Sequence, residues 1–193
     1  RIQDIPRGRF LRILHVIGDL APESGGPAKA GFEMARAVAR RGHEVAIYAT
    51  DFGQPPEMPR DRMRDGVHIR LFPLQHPKIW LASWALRRAL EADIPGFDVI
   101  HLHSLYLFHD WVVRDLTQRY RKPYLLRPHG TLDPYICQRR RLKKVLFDHW
   151  FQNALLAGAA AIHYTAEDEM RLAEPYVHGA PGVVIPNGLD PAA

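Results

Sequence analysis

Seven short apolar runs, most of them separated by stretches of helical spacing, constrain this chain more than any other feature. The runs are LRILHVI (11–17), HEVAIYAT (43–50), VHIRLF (67–72), DVIHLHS (98–104), PYLLRPHG (123–130, with its exit loop), AAAIHYT (159–165) and GVVI (182–185). Residues 28–42 carry apolar positions at Phe32, Met34, Ala35, Val38 and Ala39 and stop at Gly42, the pattern of an amphipathic helix with a glycine end. Helices are also expected over 79–92, 109–120, 138–157 and 166–173, and a Pro-rich loop over 53–60. Strands that alternate with helices, several of them apolar with little polar alternation, belong in a parallel sheet covered on both faces. The expected fold is therefore α/β, a doubly wound parallel sheet with right-handed crossovers. Such sheets bind ligands beyond the carboxyl ends of their strands. That directs attention to Gly25-Gly26, Thr50-Asp51, Ser104, His129-Gly130, Thr165 and Asn187.

Composition removes several function classes. At 193 residues the chain suits one domain with its own core. No apolar run approaches the roughly 20 residues of a membrane span, and the opening RIQDIPRGRF contains no apolar signal core. One cysteine, Cys137, excludes an intramolecular disulfide and any cysteine-rich zinc site, which fits a reducing cytoplasm. Beside arginines its thiol could be activated, but it stands alone and reads as incidental. The net charge of +5 favours anionic partners such as phosphates, nucleic acid or a lipid surface.

Four stretches carry candidate chemistry. In GDLAPESGGPAKAG (18–31), Gly25 and Gly26 stand at the first strand–helix junction. Adjacent glycines can adopt backbone conformations closed to other residues and let a ligand approach the main chain, while the helix N-terminus offers N–H groups to an anion. The spacing matches neither the dinucleotide fingerprint nor a phosphate-cradling ATPase loop, so a purely architectural turn stands beside the ligand reading. In RPHGTLDPY (127–135), His129 ends a strand and Gly130 allows a sharp exit. It can donate to a sugar hydroxyl or phosphate, or simply satisfy a backbone carbonyl. His101-x-His103 places two imidazoles on one strand face, with Asp98 or Asp110 as further ligands for a metal. With no third ligand fixed by spacing, satisfied buried histidines are the better reading. QRRRLKK (138–144) opens a helix with Arg139, Arg140, Arg141, Lys143 and Lys144. A solvated face is the ordinary reading of such a run; contact with phosphates of a nucleotide or lipid is the other. No aromatic ladder or recognition helix accompanies it, which argues against nucleic acid. Trp80 and Trp84 lie one helical turn apart, for core packing first and a membrane interface second. None of the serines, Ser24, Ser83 and Ser104, lies in G-x-S-x-G.

The order of these segments resembles a known family. RILHVIGDLAPESGGPAKAGFEMARAVARRGHEVAIYAT is similar to the opening of GT-B glycosyltransferases of family 4, the retaining "group 1" transferases. DVIHLHS, RPHGTLDPY, AAAIHYTAEDEM and VVIPNGLD look like that family's later segments in the same order, so the resemblance covers nearly all of residues 11–190. It implies a fold of two Rossmann-like domains facing across a cleft, the first mainly holding the acceptor and the second the nucleotide-sugar donor. It implies transfer with retention from a nucleotide-sugar to a saccharide or lipid-linked acceptor, in cell-surface polysaccharide or glycoconjugate synthesis, with no metal or other cofactor. Gly25 and Gly26 match the loop that approaches the donor diphosphate and sugar. His129 matches a histidine against the donor sugar, positioning it while the leaving phosphate takes the acceptor's proton. Ser104, Thr165, Arg139, Arg140 and Lys143 are acceptor contacts on this reading. Residues 1–9 read as a tail, 10–186 as the acceptor-side domain and 187–193 as the start of the interdomain hinge. The donor-binding domain is expected beyond Asp190, so the 193 residues alone are expected to be inactive. Location follows as cytoplasmic, with peripheral contact at the inner membrane face if the acceptor is lipid-linked. A non-catalytic nucleotide- or sugar-binding α/β module is the alternative.

Overall fold

The computed structural model describes residues 9–75, 78–134, 151–177 and 179–188. Each apolar run becomes a strand: β1 (Arg12–Asp19), β2 (Glu44–Thr50), β4 (Val67–Phe72), β5 (Val99–His103), β6 (Tyr124–Arg127), β7 (Ala161–Tyr164) and β8 (Gly182–Val184). An eighth strand, β3 (Asp61–Arg64), precedes β4. The described helices are α1 (Gly26–Ala39), α2 (Trp84–Asp93), α3 (Phe108–Tyr120), α4 (Asn153–Gly158) and α5 (Glu167–Ala173). The strands form one sheet in the order β3-β4-β2-β1-β5-β6-β7-β8, parallel throughout except for the antiparallel pair β3–β4. The expected doubly wound parallel sheet is thus the fold of the chain.

Period-two alternation distributes the side chains between two cores. Leu14, Val16, Tyr48, Ile100, Leu102, Leu126 and Ile162 share one cluster with Leu86 and Leu90 of α2, Val112 and Leu116 of α3, and Leu155 and Leu156 of α4. Ile17, Val45, Ile47, Ala49, Ile69 and Leu71 form the other with Phe32 and Ala35 of α1. Each aliphatic side chain buried this way contributes about 1.5–3 kcal/mol relative to exposure. The second cluster is confined to β1, β2, β4 and α1. On β5, β6 and β7 the other alternation includes His101, His103, Arg127 and His163, all buried.

Three expectations change in detail. The Pro-rich loop does not lead straight into VHIRLF, because Asp61–Arg64 pairs with it as a hairpin. Its turn is Asp65-Gly66 with φ of 51° and 82°, the Asp-Gly pairing that favours a two-residue hairpin turn. The second helix starts at Trp84 rather than 79, where the Ser83 hydroxyl accepts from the Leu86 N–H at 3.2 Å and caps it. Trp80 therefore sits in a separate 3-10 turn (Lys78–Trp80), and both tryptophans pack edge-on against Phe108, at 5.4 and 5.2 Å between ring centres. This is core packing, although Trp84 keeps 49% of its surface exposed. Of the expected helix over 138–157, Asn153–Gly158 is described as α4. Cys137, Arg139, Arg140, Arg141, Lys143 and Lys144 lie outside the described residues, as do 1–8 and 189–193.

Candidate functional site

β1 leads to β2 on one side and has β5 as its other neighbour. The chain leaves the ends of β1 and β5 in opposite directions, which opens a crevice at their carboxyl ends. The β1 exit is tightly built. The Asp19 carboxylate accepts from the Ala21 N–H at 3.0 Å, a 3-10 turn follows over Pro22–Ser24, and Gly25 takes φ 74°, ψ −142°. That backbone region belongs almost wholly to glycine. Gly26 is already the first residue of α1, so the two glycines differ: only Gly25 needs its conformational freedom. A Cβ built on either would meet nothing within 4 Å, leaving open space beside the turn.

The exits of β5 and β6 are strained. Ser104, Tyr106 and His129 have φ of 72°, 67° and 52°, and Gly130 follows at 75°. A non-glycine residue in this region costs about 1–2 kcal/mol, and such strain collects at functional sites. The two exits are tied together by the Ser104 N–H, which donates to the Arg127 carbonyl at 2.9 Å.

Below these exits runs a chain of imidazoles. His129 Nε2 lies 3.0 Å from His103 Nδ1, and His103 Nε2 lies 3.0 Å from His15 Nδ1. The rings of His103 and His129 are stacked with centres 5.3 Å apart, and those of His15 and His103 at 5.2 Å. His101 stands opposite His15 in the β1–β5 register and 4.9 Å from it ring to ring, while His163 lies 5.6 Å from His101. α1 closes over the chain through Gly31, where a Cβ would come within 3.7 Å of the His103 ring. Burial pushes His15 down to about 3 and His129 to about 4, and the nearby Arg127 guanidinium adds to both. Burial also holds His101 and His103 well below the usual imidazole range, with neighbouring imidazoles contributing. These rings are neutral at physiological pH. A neutral imidazole can orient a hydroxyl or phosphate oxygen, but it offers no full charge.

The other expected residues separate. Thr165 is engaged: its N–H and hydroxyl both donate to Glu169 Oε2, at 2.7 and 2.8 Å, while Oε1 accepts from the Gly130 N–H at 3.1 Å. Glu169 thereby fixes the loop carrying His129. Ser104 is half-buried beside it. Arg127 donates to the Asn187 side chain at 2.5 Å, tying the last described segment to β6. Its Nε and Nη1 are buried with no partner among the described residues. Asp98 and Asp110 do not join His101 and His103. Asp98 accepts from the Arg12 N–H at 2.8 Å at the opposite end of the sheet, and Asp110 caps α3 by accepting from the Leu107 N–H at 2.7 Å. The third imidazole is His15, whose ligand atom lies within 4.8 Å of those of His101 and His103. Such a spacing could be bridged by a metal ion, but the ring nitrogens linking His15, His103 and His129 are already committed to one another. His15, His163, Arg127 and Glu169 were missed as members of the site. The signal for the histidines was their position on alternate residues of strands facing the same side.

A cavity of about 1160 Å³ extends from this end of the sheet along α1, lined among others by Gly26, Lys29, His15, His101, His163 and Asn187.

Comparison with known proteins bears on the family and the fold. A mannosyltransferase of Komagataeibacter xylinus, named GDP-mannose:cellobiosyl-diphosphopolyprenol alpha-mannosyltransferase, is 27% identical over 186 residues. The match takes in 93% of this chain but 44% of that protein, so the chain spans less than half of its length. The fold is shared with Anabaena HepE, solved with UDP-glucose (TM-score 0.63, 17% identity, 93% of this chain and 44% of that one). It is shared also with sucrose-phosphate synthase of Thermosynechococcus elongatus (TM-score 0.66, 16% identity, 93% and 49%). The model of the glycosyl transferase 4-like domain matches residues 25–188, from the first glycine of the turn to Gly188, and by that match the chain belongs to the glycosyl transferase 4-like domain family.

Proposed function

We propose that this domain is one half of a retaining glycosyltransferase. It would move a sugar from a nucleotide-sugar donor to a saccharide or lipid-linked acceptor in polysaccharide or glycoconjugate synthesis at the cell surface. The observation that carries this reading is the meeting of two features at the carboxyl end of the sheet. One is a glycine turn with open space at the N-terminus of α1; the other is a neutral, left-handed His129 anchored on the neighbouring strands. In the proposed step the bond from the sugar C1 to the leaving phosphate breaks. The acceptor oxygen bonds C1 on the same face, and the acceptor's proton passes to the leaving phosphate. His129 orients the sugar and supports charge near C1 through a hydrogen bond. The step needs no bound metal. The partner domain would grip the nucleotide and close the cleft, excluding water. No described helix is long and apolar enough to cross a membrane. The proposed location is the cytoplasm, with peripheral contact at the membrane through Arg139, Arg140 and Lys143 if the acceptor is lipid-linked.

The test uses the complete gene product with GDP-mannose and UDP-glucose as first donors and a diphosphopolyprenol-linked saccharide as first acceptor. The choice follows the names of the related proteins. The expected product keeps the donor's anomeric configuration, read by NMR, and the 193 residues alone give none. An inverted product, or robust transfer by the 193 residues alone, would overturn the reading.

A further inference from the structure

We infer that His103 is a positioning residue for His129: it fixes which nitrogen of the His129 ring is presented to the ligand, and His15 in turn fixes His103. The inference rests on the reading of His129 as the residue beside the donor sugar. A neutral imidazole has one N–H and one lone pair. Both nitrogens of His103 are taken up by other imidazoles, Nδ1 by His129 and Nε2 by His15, each at 3.0 Å. His103 therefore donates through one nitrogen and accepts through the other. Only two neutral arrangements satisfy the three rings. In one, His15 donates to His103, His103 donates to His129, and the proton of His129 sits on Nδ1. In the other all three are reversed, and His129 presents a lone pair at Nδ1. In both, Nε2 of His129 is held by the protein, which leaves Nδ1 for the ligand.

The surroundings remove the usual ways of relaxing this lock. His103 is wholly buried, so water does not replace a lost partner. α1 passes over the ring at Gly31, where even an added Cβ would touch it at 3.6–3.7 Å. The backbone carbonyl of the same residue lies 3.1 Å from His109 Nε2, which anchors the strand end. Arg127, facing the same side of the sheet, brings a positive charge that opposes a cationic ring. His129 itself is left-handed at the β6 exit, on a loop anchored through the Gly130 N–H to Glu169. The hydrogen bond to His103 then decides its orientation, and a small misplacement at a reacting centre can cost on the order of 10²-fold in rate.

Two near-isosteric substitutions separate positioning from packing. An asparagine amide reaches the place of the imidazole Nδ1, and a glutamine amide the place of Nε2. His103→Asn keeps the bond to His129 and loses that to His15; His103→Gln does the reverse. Both bury a neutral amide, so a packing role would penalise them alike. In the complete gene product, His103→Gln is expected to lower kcat about tenfold or more with the donor KM within about threefold, and His103→Asn to stay within about threefold of the parent. Equal losses in both variants, or a change confined to KM, would overturn the role. His129→Ala is measured alongside. If it keeps full turnover, the reading of the site fails; if it loses turnover and His103→Gln does not, only the positioning role fails. Should either variant fail to fold, ¹⁵N-histidine NMR of the parent decides. The lock requires one protonated and one unprotonated nitrogen at His129, and averaged resonances would refute it.

Discussion

Acid should unfold this domain at a pH where most domains are near their most stable. His15, which would titrate at 6.5 in the unfolded chain, is held at about 3, and His109 and His129 at about 4. His101 and His103 lie well below 6.5 for the same reason, burial of the charged form. The sign follows from proton counting: below pH 6.5 the unfolded chain takes up protons that the folded chain refuses. Stability is therefore fully present above about pH 6.5 and is lost as pH falls toward the folded values. At pH 5 each proton excluded from His15, His109 and His129 costs about 2 kcal/mol, so these three rings together cost about 6 kcal/mol, and His101 and His103 act in the same direction. Asp110 works in the other direction. Burial holds its carboxyl well above 3.8, so keeping it protonated costs less as pH falls, which offsets part of the loss. The loss from the rings is comparable to the whole stability of an ordinary domain, about 5–15 kcal/mol. Urea titrations of the 193-residue chain at pH 7.5, 6.5, 5.5 and 5 would measure it. His109→Leu should make the slope below pH 6 shallower by about 1.4 kcal/mol per pH unit. A stability that changes by less than about 2 kcal/mol between pH 7.5 and 5 would refute the reasoning.

Gly26→Val should leave the melting temperature near that of the parent, because Gly26 is helical with open space beside it, yet reduce transfer by the complete gene product severely; full turnover would make the turn purely architectural. Gly25→Ala is expected instead to cost about 1–3 kcal/mol of stability, since its φ of 74° and ψ of −142° suit glycine alone; an unchanged melting temperature would contradict that. Replacing Arg139, Arg140 and Lys143 together by Gln should weaken binding to anionic liposomes, and added salt should do the same to the parent. Binding that ignores both would remove the membrane contact from the proposal.

The sheet was legible because its strands are apolar and its helices are not. Period and punctuation located seven of the eight described strands. The missed strand, Asp61–Arg64, is an edge strand whose residues are largely exposed, so burial left no apolar mark on it. Its signal was the turn, Asp65-Gly66, which was there to be read. The start of α2 was misplaced because Trp80 and Trp84 fit a helical spacing. The Ser83 cap and the positive φ of Leu81, 50°, set the true boundary.

The site was legible only where one segment carried it. Gly25, Gly26 and His129 stand at strand ends, and strand ends can be found along the sequence. The imidazole chain joins three separate strand regions, and nothing in their spacing says that β1 lies beside β5 and β5 beside β6. That is a property of strand order, which brings His15 opposite His101 and His103 opposite Arg127. The same order explains why so many polar groups are buried together. The apolar cluster under α1 ends at β1, and beyond it the buried side chains on that face include His101, His103, Arg127 and His163. Several of their polar atoms stay without partners among the described residues, namely His101 Nε2 and Arg127 Nε and Nη1. A fold selected for stability alone would place leucines there, since a buried unpaired polar atom costs about 1–3 kcal/mol. Buried polar groups kept at such a cost, at the strand ends where ligands of this fold class bind, are the mark of a site rather than of packing.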